Sequence, residues 1–145
     1  MKEKGFTLIE LVIVMAIIAT LTALATFNFS QARVRARDIQ RKNELKAIQN
    51  ALELYKSDKM PQEYPATADF TQSDTTNVLV TGGYMGKLPV DPKEKATDNS
   101  WMDYTYNRTD TLTYTLQACL ENTSDPDATA TACHTTGIVY QLTQP

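Results

Sequence analysis

An apolar run near the N-terminus constrains this chain more than any other feature of its sequence. Residues 6–27 contain neither Pro nor Gly and carry one charged side chain, Glu10. As an α-helix the run would measure about 33 Å, which is enough to cross the hydrocarbon core of a bilayer. Ala23 and Ala25 leave a cleaved signal peptide as an alternative, but the run is longer than the core of an ordinary signal. We therefore expect a retained membrane helix over residues 6–29.

Glu10 is the one anomaly in this run. A carboxylate inside an apolar span costs roughly 2.5–3.5 kcal/mol on insertion, and the run holds no basic side chain that would pair with it. Two interpretations stay open. Glu10 either reaches the membrane interface, since it lies only five positions after Gly5, or receives a partner from a second chain, such as a free N-terminal amine.

The helical signal continues beyond the apolar run. Residues 30–58 contain no Pro or Gly and are rich in good helix formers. Leu45, Ile48, Leu52 and Tyr55 recur at steps of three and four, which predicts one apolar stripe that docks on a core. One helix over about 6–57 follows from these two segments.

Charge is distributed in blocks, although the whole chain has a formal net charge of only −3. Residues 30–59 hold eight Lys and Arg against four Asp and Glu, whereas residues 60–145 hold four against eleven. The basic cluster at 33–42 has the chemistry to contact lipid head groups or DNA. We expect it instead to complement the acidic head, so that nucleic acid is an unlikely partner.

The head, residues 59–145, carries the signals of a small antiparallel sheet. All six prolines lie there, and residues 60–100 indicate loop with one short helix. Alternating patterns rich in Thr and Tyr at 102–106, 112–118 and 138–142 predict about three strands, with a turn at 108–110 between the first two. The predicted fold class is α+β, with the sheet packed on the C-terminal half of the long helix.

Segment 4–10, with the sequence KGFTLIE, resembles the processing signature of type IV prepilins and type II secretion pseudopilins. The resemblance implies the pilin fold and cleavage by prepilin peptidase between Gly5 and Phe6. It also implies loss of a leader peptide, residues 1–5, and N-methylation of Phe6. It assigns to Glu10 the neutralisation of a neighbouring subunit's N-terminal amine in the filament. The leader would stay cytoplasmic, with the head outside.

The same resemblance implies the partners and the location. The precursor would be a single-pass protein of the inner membrane, assembled by a platform with its own ATPase into a helical homopolymer at the cell surface. The alternatives are a major-type pseudopilin of a type II secretion system and a minor pilin that acts as a membrane-anchored adhesin or DNA-binding module. Many family members carry a Pro at the position of Phe27 and often a Gly near Ala19, so their absence here predicts an unbroken helix.

Two further expectations concern the head, which would be translocated across the membrane. Cys119 and Cys133 would meet an oxidising space and form a disulfide at the edge of the sheet. Segment 83–92 resembles a loop of major pseudopilins, whose next region binds calcium. The Asp-Gly motif that supplies its ligands is missing here, which leaves Asp125 and Asp127 as weak calcium candidates. We expect no cofactor.

Catalysis is not expected from this inventory of residues. The single histidine, His134, has no second base beside it, and the sequence contains neither a phosphate-binding glycine loop nor a serine nucleophile motif.

Overall fold

The computed structural model describes residues 5–71, 74–93, 103–133 and 137–144, except for the side chains of residues 24–28. The chain divides into two compact units, residues 1–35 and 36–145. Helix α1, Leu8–Asp58, is assigned without interruption, as the lack of Pro and Gly predicts. Within the described residues, no helical stretch is both long and apolar enough to cross a membrane.

Four antiparallel strands form one sheet in the second unit. They are β1 (Thr105–Asp110), β2 (Thr113–Leu120), β3 (Ala132–Cys133) and β4 (Gly137–Thr143), in the spatial order β1-β2-β4-β3. The α+β prediction is confirmed, but the expected count of three strands is wrong. The strand that was missed, β3, has two residues, which is too short for a period-two pattern to be read in the sequence.

The turn expected at 108–110 is also misplaced. Arg108 pairs with Tyr114 and Asp110 with Thr113, so β1 continues to Asp110 and the turn falls at Thr111 and Leu112. The register shifts between Arg108 and Asp110, which marks a bulge. A bulge adds one residue to one strand, and this extra residue moved the turn away from the position that simple alternation favours.

The core lies between the predicted stripe of α1 and one face of the sheet. Leu45, Ile48 and Leu52 are fully buried, which confirms the stripe. The facing side chains come mainly from the strands and from the segment before them. They are Tyr64, Leu79, Leu88, Tyr104, Tyr106, Tyr114, Leu116, Ala118, Leu120 and Tyr140. Met102, which was expected to begin the first alternating run, lies outside the described residues.

Between α1 and β1, the described residues (59–71, 74–93 and 103–104) include a 3-10 helix at Thr67–Asp69 and a short helix, α2, at Val78–Thr81. Asn77 caps α2, since its side-chain oxygen accepts a hydrogen bond from the Leu79 N–H at 2.9 Å. Gly83 follows with a φ of 78°, which only glycine adopts without strain. These turns bring residues 88–91 back against the helix.

Candidate assembly site and charged clasp

The N-terminal motif begins as an open segment and becomes helix at Leu8. Gly5 and Phe6 are both exposed, and a Cβ at Gly5 would meet no atom within 4 Å. Thr7 is the residue before the helix, and Glu10 is the third residue within it. The peptide bond between Gly5 and Phe6 is therefore accessible in this unit.

Glu10 has a partner within its own chain. Its Oε2 accepts a hydrogen bond from the Thr7 N–H at 2.9 Å and another from the Thr7 hydroxyl at 2.6 Å, while the Glu10 N–H donates to Thr7 Oγ1 at 3.3 Å. This reciprocal arrangement is a capping box. The signal for it, Thr-x-x-Glu ahead of an apolar run, is present in the sequence but was not used in the prediction.

The first turns of α1 expose a continuous apolar surface. The exposed fractions of its large apolar side chains range from 47% at Val14 to 81% at Leu8, and Phe6 just before the helix is 85% exposed. An apolar surface of this extent is characteristic of a segment that is covered by lipid or by other protein.

A second cluster joins α1 to two loops of the head, and we call it the charged clasp. It consists of Asp38 and Arg41 on α1, Asp91 after the Leu-Pro segment, and Glu121 after β2. Arg41 is fully buried. Its Nε and Nη2 donate to Asp91 at 2.6 and 2.9 Å, and its Nη1 donates to Asp38 at 2.7 Å and to Glu121 at 2.8 Å.

Glu121 has three cations around it, more than any other carboxylate of the described residues. Arg37 donates to both of its oxygens at 2.6 Å, and Lys93 Nζ lies 2.8 Å from Oε2. Burial alone would raise the pKa of Glu121, but hydrogen bonds from Arg37, Lys93 and Arg41 outweigh it and lower the pKa to about 2. The clasp therefore holds this side chain ionised.

The clasp also fixes the backbone of the following loop. The two oxygens of Asp38 accept hydrogen bonds from the Glu121 and Asn122 N–H groups, each at 2.9 Å. One turn further along α1, Lys42 Nζ lies 2.6 Å from Asp125 and 2.7 Å from Asp127. The expectation that the basic cluster complements the acidic head holds for Arg37, Arg41 and Lys42.

The disulfide between Cys119 and Cys133 is present. It joins β2 to the edge strand β3 and crosses β4 at Gly137, where an added Cβ would overlap Cys119 Sγ. Both cysteines are buried, but neither belongs to the main apolar cluster. The need for Gly137 beneath the bridge could not be read from the sequence, because it depends on which strand lies between the two cysteines.

The sequence-predicted site residues fall into separate places. Gly5, Phe6 and Glu10 belong to the first unit, whereas Cys119, Cys133, Asp125 and Asp127 belong to the second. The calcium candidates Asp125 and Asp127 contact Lys42, and His134 lies outside the described residues.

A long N-terminal helix that exposes its apolar start, docked at its other end on an antiparallel sheet, defines a pilin-like subunit. Residues 1–26 match the family described as Prokaryotic N-terminal methylation motif. The chain is 31% identical to the type II secretion system core protein G of Escherichia coli (strain K12) over 99 residues, which cover 63% of this chain and 67% of the relative.

Two other relatives extend this comparison. The type II secretion system core protein G of Pseudomonas aeruginosa is 34% identical over 99 residues, covering 63% of this chain and 68% of the relative. The type IV major pilin protein PilA of Myxococcus xanthus is 43% identical over 58 residues, covering 40% of this chain and 26% of the relative. No solved structure matches the chain. The chain belongs to the family of type IV pilins and type II secretion pseudopilins.

Proposed function

We propose that this protein is a structural subunit of a type IV pilus-like surface filament. The proposal rests on one observation: the first turns of α1 are apolar and exposed, and they directly follow a processing motif. Such a surface needs lipid before assembly and neighbouring helices after it. The head then stays outside the helical bundle, which gives the chain a structural and not an enzymatic role.

Processing and assembly follow in sequence. Prepilin peptidase cuts between Gly5 and Phe6, removes residues 1–5 and leaves an N-methylated Phe6. The inner-membrane platform and its ATPase then move the subunit from the membrane into a homopolymer. Residues 6–29 form the filament core, residues 30–58 continue the helix, and residues 59–145 form the extracytoplasmic head.

Glu10 changes partner during this step. In the single subunit its carboxylate is satisfied by Thr7, at 2.6 and 2.9 Å. In the filament it pairs with the N-terminal amine of a neighbouring subunit, because two opposite charges in a low-dielectric bundle are tolerable together and costly apart.

Two matched variants separate this charge role from helix capping. Glu10→Gln keeps an acceptor for Thr7 but loses the charge, whereas Thr7→Ala loses the capping box but keeps the charge. We expect Glu10→Gln to reduce filament by about a hundredfold, since an unpaired buried charge costs about 3–5 kcal/mol, and Thr7→Ala to assemble. Immunoblots of the sheared surface fraction and of the membrane fraction measure both. Equal losses in the two variants would refute the charge role and leave capping alone.

A pseudopilus is the second candidate, favoured by one observation. The matches to core protein G span 99 residues and reach into the head, whereas the match to PilA spans 58. As a pseudopilin, the chain would form a short periplasmic filament that serves protein export.

Electron microscopy of sheared material from wild-type cells separates the two candidates. Abundant surface fibres, whose main band begins with N-methylated Phe6 by mass spectrometry, support the pilus. If cells carry no surface fibres and a deletion strain retains exported proteins in the periplasm, the pilus proposal is wrong.

A minor pilin that binds DNA is less favoured, because Arg37, Arg41 and Lys42 already pair with carboxylates of their own head.

A further inference from the structure

The loop after β2, residues 121–127, is held by an ammonium group of the same chain. Lys42 Nζ lies 2.6 Å from Asp125 Oδ1 and 2.7 Å from Asp127 Oδ2, and 5.3 Å from the centre of the Tyr140 ring. The Lys42 side chain is 18% exposed and that of Asp125 is 13% exposed. The same Asp125 oxygen accepts the Asp127 N–H at 3.0 Å, so the two carboxylates and the lysine form one unit.

These two carboxylates do not fit a calcium ion. Calcium takes six to eight oxygen ligands, and a divalent ion placed between Asp125 and Asp127 would meet the Lys42 ammonium at contact distance. Within residues 5–71, 74–93, 103–133 and 137–144, no three His, Cys, Asp or Glu side chains group as metal ligands. The other acid of the loop, Glu121, is satisfied by three cationic side chains.

We propose that Lys42 is the structural cation of this loop, so that the head folds and keeps the loop closed without a divalent metal. The cation is a side chain of α1. The loop therefore closes when the head docks on α1. The burial of Lys42 would lower its pKa, but the hydrogen bonds that its ammonium donates to both aspartates raise it, so the ammonium stays charged at neutral pH. The proposal is independent of whether the filament is a pilus or a pseudopilus.

Thermal unfolding of the full chain in nonionic detergent micelles tests the absence of a metal requirement. The midpoint is measured by circular dichroism with EDTA and with excess CaCl₂. A genuine site at a hundredfold excess over its Kd would raise the midpoint by about 5–10 °C for a protein of this size. We expect the two midpoints to agree within about 1 °C. A rise of several degrees with calcium overturns the proposal.

A pair of lysine variants tests the role of the ammonium itself. Lys42→Gln removes the charge and keeps most of the side-chain length, and Lys46→Gln makes the same change at an exposed position of α1. We expect Lys42→Gln to lower the midpoint by about 3–6 °C and Lys46→Gln to leave it unchanged. Hydrogen exchange of the amides of residues 122–128 should accelerate in Lys42→Gln alone. Equal behaviour of the two variants overturns the proposal.

Terbium luminescence gives a direct test of the loop as a metal site. A lanthanide bound by Asp125 and Asp127 would lie close to the Tyr140 ring, which would sensitise its emission. We expect the wild-type chain to show no sensitised emission that depends on Asp125, so the signal should be the same in wild type and in Asp125→Asn. Emission that saturates and is lost in Asp125→Asn would place a metal where the structure has Lys42, and would refute the proposal.

Discussion

Replacement of Arg41 by methionine perturbs the charged clasp at its centre. The guanidinium is fully buried and donates four hydrogen bonds of 2.6–2.9 Å to three carboxylates. Opposite charges about 4 Å apart interact by about 4 kcal/mol at an effective dielectric constant of 20. The mutation costs less than the full sum of these interaction energies, because two of the carboxylates keep other partners. Glu121 keeps Arg37 and Lys93, and Asp38 keeps two backbone N–H groups.

We expect Arg41→Met to lower the free energy of unfolding by about 3–5 kcal/mol, which is the usual cost of leaving buried charges without their partner. For a chain of this length the thermal midpoint would fall by about 10 °C. Unfolding of the full chain in detergent measures the loss, with Lys46→Met as an exposed control on the same helix.

A double-mutant cycle with Asp91→Asn isolates the one carboxylate to which Arg41 donates two hydrogen bonds, of 2.6 and 2.9 Å, within the clasp. Asp91 is buried like Arg41, so each single change removes one charge partner of a buried ionised group, whereas the double change removes both charges. We expect a coupling of about 2 kcal/mol or more. If Arg41→Met costs less than about 1 kcal/mol, or if the two changes are additive, the clasp does not hold the loops and the reasoning fails.

Four further predictions concern single residues of the head. Gly137→Ala should destabilise the head by about 1–3 kcal/mol, because the new Cβ would overlap Cys119 Sγ and lie 2.9 Å from the backbone oxygen of Cys133. Tyr106→Phe should cost about 1 kcal/mol, since its buried hydroxyl donates to a backbone oxygen at 2.8 Å. Tyr114→Phe should cost less, since its buried hydroxyl makes no hydrogen bond of normal geometry within the described residues and interacts only weakly with Gln49. Folding lowers the pKa of Glu121 from 4.5 to about 2, so this carboxylate stabilises the fold above about pH 5 and loses about 3 kcal/mol as the pH falls toward 2.

Urea unfolding measures all four, and each is compared with a control. Gly86→Ala adds a Cβ where no atom lies within 4 Å, so a similar loss there would contradict the steric argument for Gly137. Equal losses in the two tyrosine variants would contradict the assignment of their hydroxyls. For Glu121, the stability difference between wild type and Glu121→Gln should shrink below pH 4, and a constant difference would show that its ionisation is not linked to folding.

Much of the fold was predictable because it rests on local patterns. The start of α1 follows from a helix-forming run without Pro or Gly, and its docking face follows from the spacing of Leu45, Ile48 and Leu52. Alternation located β2 and β4 but not the two-residue β3, and the bulge after Arg108 displaced the turn. Short strands and bulges depend on what pairs with them, so their local signal is weak.

By itself the sequence determined the segments: an apolar start behind a processing motif, one carboxylate within it, a basic stretch and an acidic head. Only the tertiary structure decided which charges meet. Asp91 and Glu121 lie 50 and 80 residues after Arg41, and their contacts exist because the head folds back along the helix. The tertiary structure likewise decided that Lys42 meets Asp125 and Asp127, and that Gly137 lies beneath the disulfide. Contacts between residues so distant in sequence depend on strand order and loop closure, which neither spacing nor composition encodes.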